Sequence, residues 1–232
     1  MKARPILFSA PMILALLAGR KTQTRRICKP QPRSVGDEFS TRQHGTLMIR
    51  GTDEDSWKPV PCPYGAAGDM LWARETWQHA PQRFCSCPQA SEPSPCDDWS
   101  EGIGCKSNRG EVVYAADGAS LARWRPSIFM PRWASRITLR LTDVRAERLQ
   151  DISEADAIWE GIEHNAALDP VGPCKWRVYT QPDTGTDRPE HSYGTLWESI
   201  NGSKSWARND WVWRIVFEVI KANVDAVMRE AA

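Results

Sequence analysis

Ile137-Thr138-Leu139-Arg140-Leu141-Thr142-Asp143-Val144 alternates apolar and polar side chains along its length. A two-residue period puts one set of side chains on a core and the other in water, so this stretch predicts a long β-strand. The pattern changes downstream, across Leu149 to Ile162. Ser153 is placed to begin a helix, Asp156 stands at the capping-box position, and Gly161 is placed to end it. Ala157, Ile158 and Ile162 are expected to face inward. Glu160 falls in the last turn, where the helix dipole disfavours a negative charge, so something else must hold it there.

Working outward, Trp211-Val212-Trp213-Arg214-Ile215-Val216-Phe217-Glu218-Val219 is largely apolar on both faces and reads as a closing strand. Tyr193 to Ile200 suits a short helix before an Asn201-Gly202 turn, and Glu111 to Ala115 reads as a strand ended by Asp117-Gly118. Arg4 to Ser9 reads as a first buried strand leading into a helix from Pro11. Gly68-Asp69 turns into a strand on which Met70, Trp72 and Arg74 share one face and Leu71, Ala73 and Glu75 the other. Each face ends in a charge. Either the strand runs into a polar cleft where Trp72 and Arg74 meet a ligand, or Trp72 is a core residue beside a surface arginine.

The chain has 232 residues, enough for one domain with insertions or two small ones. Its 30 Lys and Arg against 29 Asp and Glu leave a net charge of +1, so any affinity for nucleic acid must come from a local patch. The 17 prolines and 15 glycines imply many turns, which favours strands over a helical bundle; the 12 tryptophans suit cores and stacking surfaces alike. No stretch approaches the roughly 18 apolar residues of a membrane span. Pro5 and Pro11 interrupt the apolar N-terminal run and Arg20-Lys21 follows it, which argues against a secretory signal. With an odd count of 7 cysteines, the expectation is a cytoplasmic protein without a membrane partner.

Chemistry concentrates in Ala18-Gly19-Arg20-Lys21-Thr22-Gln23-Thr24-Arg25-Arg26. Gly19 stands where the first helix stops, and Arg20, Lys21, Arg25 and Arg26 follow with no carboxylate among them. Such a cluster is expected to hold an anion or a polar ligand rather than partners in its own core. Residues 80–110 read as an insertion in which Cys85, Cys87, Cys96 and Cys105 supply enough thiols for a tetrahedral structural zinc. The spacing is not that of a standard knuckle, and reduced thiols in a loop are the alternative; no other cofactor is expected. Residues 163–192 read as a second polar insertion or lid, and Asn223 to Ala232 as a short terminal helix.

In order, the first strand, the helix ending in Gly19-Arg20-Lys21-Thr22-Gln23-Thr24-Arg25-Arg26, the Gly68-Asp69-Met70-Leu71-Trp72 strand, the Ile152-Ser153-Glu154-Ala155-Asp156-Ala157 helix and the Trp211-Val212-Trp213 strand resemble an ASCH domain. The large, Trp-rich form is similar to proteins carried by phages and prophages. The resemblance implies an α+β fold, a PUA-like mixed β-barrel with short flanking helices and loop insertions. It would occupy residues 1–222 as a single domain, with residues 223–232 as a tail. In a small bacterial amidohydrolase of this class, a lysine and a threonine of the basic stretch and a glutamate of the later helix remove the acetyl group of N4-acetylcytidine. By motif position these resemble Lys21, Thr24 and Glu160, with Glu154 on the same helix as the alternative acid.

Arg20, Thr22, Arg25, Arg26, Trp72, Arg74, Trp124 and Trp133 are then the candidate substrate contacts. The last two lie in Trp124 to Trp133, an irregular segment whose interleaved Trp and Arg suit base stacking and phosphate contact. Plugging a barrel end is the other use for its tryptophans. A threonine hydroxyl attacks only once a base takes its proton, and a lysine is that base only if burial or nearby cations lower its pKa. Arg20, Arg25 and Arg26 are the cations at hand, and Glu160 would orient the lysine or protonate the leaving amine. On a regular strand, Lys21 and Thr24 would face opposite sides, so the helix-to-strand junction must kink at or near Gly19. The expected partner is a nucleoside or a single-stranded or modified nucleic acid. The leading expected activity is amide hydrolysis at an acylated cytosine amino group; a non-catalytic reader of RNA or modified DNA, a ribonuclease and a merely solvated basic rim are the alternatives.

Overall fold

The alternating strand lies inside the main sheet. In a computed structural model the elements in chain order are β1 (Ala3–Leu7), α1 (Ala10–Leu17), β2 (Gln23–Ile27), β3 (Phe39–Arg42), β4 (Thr46–Arg50), β5 (Trp57–Pro59), β6 (Met70–Arg74), β7 (Trp77–Ala80) and β8 (Glu111–Tyr114). They continue with β9 (Thr138–Arg148), α2 (Glu154–Trp159), β10 (Trp176–Arg177), β11 (Gly185–Thr186), α3 (Pro189–Asn201), β12 (Trp211–Ile220) and α4 (Val224–Glu230). The structure describes residues 1–29, 31, 39–42, 46–50, 57–80, 111–118, 123–164, 175–181 and 183–231.

The main sheet has five strands in the order β1-β6-β9-β12-β2. β1 runs parallel to β6, and every other pair in that sheet is antiparallel. The fold is therefore mixed α+β with a mostly antiparallel sheet and short helices. The closed barrel implied by the ASCH resemblance is not formed among the described residues, because no ladder joins the outer strands β1 and β2. Instead α1 carries the chain from one to the other, and the Arg26 guanidinium donates a 2.7 Å hydrogen bond to the Leu7 carbonyl. A side chain thus links the two edges where backbone pairing would have closed them.

β9 runs to Arg148, beyond the Val144 expected from simple alternation. Its register with β12 shifts between Val216, opposite Asp143, and Phe217, opposite Leu141, which leaves Thr142 as an extra residue. Leu139 and Leu141 are buried before this bulge and Ala146 after it. One inserted residue inverts the phase of the side chains, so a single alternating pattern could not be read through it.

β12 is not a closing strand but an inner one, between β9 and β2, and this explains its apolar character on both faces. Trp213, Ile215 and Phe217 join Ile13 and Leu16 of α1 in the larger core. Val212, on the opposite phase, packs in a second core with Ala157, Tyr193 and Leu196 from α2 and α3. Ile158 is 38% exposed, contrary to its expected inward position. α2 is only one and a half turns long, and Ala157 together with Ile162, just past its end, already covers that side. The C-terminal α4 is packed down, with Val224 and Val227 against Met70 and Trp72.

That contact decides between the two readings of Trp72. The ring is 5% exposed inside this third cluster, and the Arg74 guanidinium stacks 4.7 Å from its centre. Among the described residues no helix is long and apolar enough to cross a membrane. Replacing Trp72 by Ala should destabilise the fold by about 3–5 kcal/mol, the usual cost of emptying a large aromatic site, measured as a shift in the urea midpoint.

Candidate functional site

The local geometry starts at the end of α1. Gly19 adopts φ +72°, a left-handed conformation that glycine takes without strain, and the amides of Arg20 and Lys21 both fold back on the Ala15 carbonyl at 3.0 and 3.2 Å. Lys21 is thereby displaced from the line of β2, which begins only at Gln23. The opposite facing expected for residues three apart on a strand does not apply, and Lys21 and Thr24 line the same cavity.

Glu160 caps the C-terminus of α2, and Lys21 is what holds its unfavourably placed carboxylate. The Lys21 ammonium donates to Glu160 Oε2 and to the Glu160 carbonyl, each at 2.8 Å. Arg25 adds a contact of 3.1 Å to Oε1. Gly161 makes this approach possible: its φ is +86°, and a Cβ there would lie 3.0 Å from both Ala15 Cβ and Lys21 Cβ. Glu154, the alternative acid, is exposed at the other end of the helix.

The basic segment is not uncompensated, as its local sequence suggested. Arg25 also meets Glu147 at 2.6 Å and Asp156 at 3.2 Å. Asp156 in turn accepts from Arg214 at 3.0 Å, and Arg214 reaches Asp143 at 3.2 Å. The reason is topological. β2 pairs with β12, β12 pairs with β9, and α2 packs over them, so four carboxylates from distant segments converge on Lys21, Arg25 and Arg214. Asp156 therefore serves as an ion-pair partner; the Ser153 hydroxyl still accepts from the Asp156 backbone amide at 3.1 Å.

Burial sets the electrostatics. The Lys21 pKa is lowered chiefly by loss of water around the ammonium; Glu160 opposes that effect, while Arg26 and Arg25 add to it. Burial also disfavours a charged Arg25, yet Glu160 and Glu147 outweigh this and hold it firmly protonated. Asp156 is pushed up by burial and more strongly down by Arg214 and Arg25, so it stays below the ordinary carboxylate range.

The cavity itself has a volume of about 380 Å³ and lies at the seam between the end of β1 and the edge strand β2, with α3 over it. Lys21, Thr24, Arg25, Arg26 and Glu160 are among its polar lining residues, with Ser9, Thr76, Ser127 and Asn201 at other points, and Phe8, Tyr193 and Trp197 bring aromatic rings to it. Of the remaining candidates, Arg20 is exposed, with a 3.3 Å hydrogen bond to the Gly161 carbonyl, and Thr22 is tied by its backbone to Trp159 and Phe217. Trp72, Arg74, Trp124 and Trp133 do not line the cavity. Trp133 is 55% exposed and stands edge-on to Trp77, while Trp124 is half-buried.

Phe8, Tyr193 and Trp197 were not singled out from the sequence, because nothing local distinguishes a cavity aromatic from a core one. Arg214 did carry a signal: a lone arginine inside an apolar strand calls for a buried carboxylate. Cys85, Cys87, Cys96 and Cys105 lie outside the described residues, and among the described residues no group of three or more metal-binding side chains occurs. No family model, curated protein or solved structure matches the chain.

Lys21 and Glu160 are only 2% and 3% exposed, so removing one partner strands the other's charge in the interior. Glu160→Gln should cost about 3–5 kcal/mol in chemical denaturation. The double variant Lys21→Met with Glu160→Leu should recover part of that loss, since it leaves no isolated charge at this pair.

Proposed function

We propose that this chain is an ASCH-type, PUA-like protein whose seam cavity binds a nucleoside or exposed base and hydrolyses an acylated cytosine amino group. The observation that carries the reading is the meeting of Lys21 and Thr24, from one short segment, with Glu160, 139 positions away, on one cavity. Its volume of about 380 Å³ lies within the roughly 300–1,000 Å³ range of small-molecule sites, room for one base with a short acyl group. Phe8, Tyr193 and Trp197 give the cavity the aromatic lining that suits a base.

The chemistry follows from the arrangement. Lys21, with its pKa lowered by burial, takes the Thr24 hydroxyl proton as Oγ1 attacks the amide carbonyl. The C–N bond breaks, the Lys21 proton passes to the leaving amine, and the acyl group rests on Thr24 as an ester. Water then cleaves that ester, with Lys21 again taking a proton and returning it to Thr24. Glu160 accepts from Lys21 and Arg25 at once, so it acts as the group that orients the lysine.

Acetate release from N4-acetylcytidine is the direct test. Lys21→Ala and Thr24→Ala should each lower kcat by at least about 100-fold, the lower end of what a positioned base contributes, while Thr24→Ser keeps measurable turnover. Because the reactive lysine is neutral, kcat/KM should rise with pH and level off above the Lys21 pKa, with its midpoint below that of an ordinary lysine. A rate that is flat or falls across that range overturns the assignment of Lys21 as base. No turnover together with salt-dependent binding of single-stranded RNA would favour the non-catalytic reader, and strand scission would select the nuclease.

A further inference from the structure

α3 contributes a polar atom to the cavity that the chemistry above does not use. Tyr193 lines it together with Lys21, Thr24 and Glu160 and is 3% exposed overall. Its ring is held on several sides. Trp197 lies 6.2 Å away at 48°, Trp206 lies 6.2 Å away at 78°, and the Arg25 guanidinium is 5.9 Å from the ring centre. The next residue, Gly194, has no side chain because a Cβ would meet the Trp206 indole at 3.1 Å, so the packing of Tyr193 and Trp206 fixes how α3 presents the phenol.

The hydroxyl differs from the ring. It hydrogen-bonds to no described residue and is not fully occluded, so the O–H group of this cavity-lining side chain is open to a ligand. A buried tyrosine hydroxyl ordinarily finds a partner, and one left free beside a cavity is positioned for a ligand atom. Burial, reinforced by Glu160, holds the phenol pKa well above its usual value, while Arg25 and Arg26 oppose that shift. The group therefore remains a proton-bearing donor across the working pH range, and what it can serve is an acceptor.

We propose that the Tyr193 hydroxyl donates a hydrogen bond to the carbonyl oxygen of the bound acyl group, stabilising the negative charge that develops there as Thr24 attacks. The assignment rests on the amide-hydrolysis reading and completes it. That reading supplies a nucleophile, a base and an orienting carboxylate, but assigns no donor to the oxyanion. Arg25 is occupied by Glu147, Asp156 and Glu160, and Arg26 donates to the Leu7 carbonyl, whereas the Tyr193 O–H is uncommitted. A preorganised donor aimed at a developing oxyanion contributes chiefly in the transition state, so its loss appears in kcat more than in KM.

Tyr193→Phe removes the oxygen and keeps the ring contacts. With N4-acetylcytidine, kcat should fall by about 100- to 1,000-fold, as for loss of one oxyanion donor, while KM changes by less than about threefold. The thermal midpoint and the affinity for cytidine, which lacks the acyl carbonyl, should stay at wild-type values. An unchanged kcat in a protein whose Lys21→Ala and Thr24→Ala variants are inactive overturns the Tyr193 assignment and leaves the hydrolase reading standing. If the wild type releases no acetate, the hydrolase reading fails, and titration of N4-acetylcytidine decides the donor separately. A Kd at least fivefold weaker in Tyr193→Phe, with cytidine unaffected, supports contact with the acyl group; equal values, or no binding to either protein, overturn it.

Discussion

Everything at the site depends on one buried ion pair, Lys21 with Glu160. Withdrawing two such groups from water costs several kcal/mol per ion, and attraction offsets this only when the remaining hydrogen-bonding capacity is also met. Here the ammonium serves both the carboxylate and the main-chain carbonyl of the same residue, and Arg25 takes the second carboxylate oxygen. The pair joins the turn after α1 to the end of α2, two points separated by most of the chain. Gly161 belongs to the same constraint, because any side chain there would occupy the space through which Lys21 passes.

The open edge of the sheet explains why a cavity lies beside this pair. Had β1 and β2 been hydrogen-bonded along their length, the space now lined by Phe8, Thr24 and Arg26 would have been filled by backbone. α1 bridges the edges instead, and α3 packs across from the second core, so the seam is walled without being sealed. The same arrangement brings a lysine stripped of water and a threonine of the edge strand to one cavity. Stability and reactivity pull against each other at Lys21, since Glu160 favours the charged form that the fold needs while burial favours the neutral form that a base requires.

Much of this was legible in the residues. Glu160 at a helix C-terminus is unfavourable in isolation, and that anomaly pointed to a partner outside its helix, which is Lys21. The kink demanded by Lys21 and Thr24 is present, and Gly19 permits it. Other features could not be read. Thr142-Asp143, two polar residues in succession, interrupt the alternation where the bulge lies, but only the partner strand defines it as a bulge. Trp72 and Trp133 look alike in sequence, yet one is covered by α4 and the other is half exposed.

The amino-acid order alone therefore determined many local events: where α1 and α2 start and stop, though not where α3 begins, since it starts at Pro189 rather than Tyr193, which segments form strands, and which short stretch carries cations and hydroxyls together. These follow from short-range sterics and hydrogen bonding, which neighbours along the chain largely control. Only the tertiary structure decided which carboxylates neutralise those cations, that the sheet stays open at the seam, and which aromatics face the cavity. Such outcomes depend on contacts between residues more than a hundred positions apart, as between Lys21 and Glu160 or Arg25 and Glu147, and no local pattern encodes a pairing over that distance.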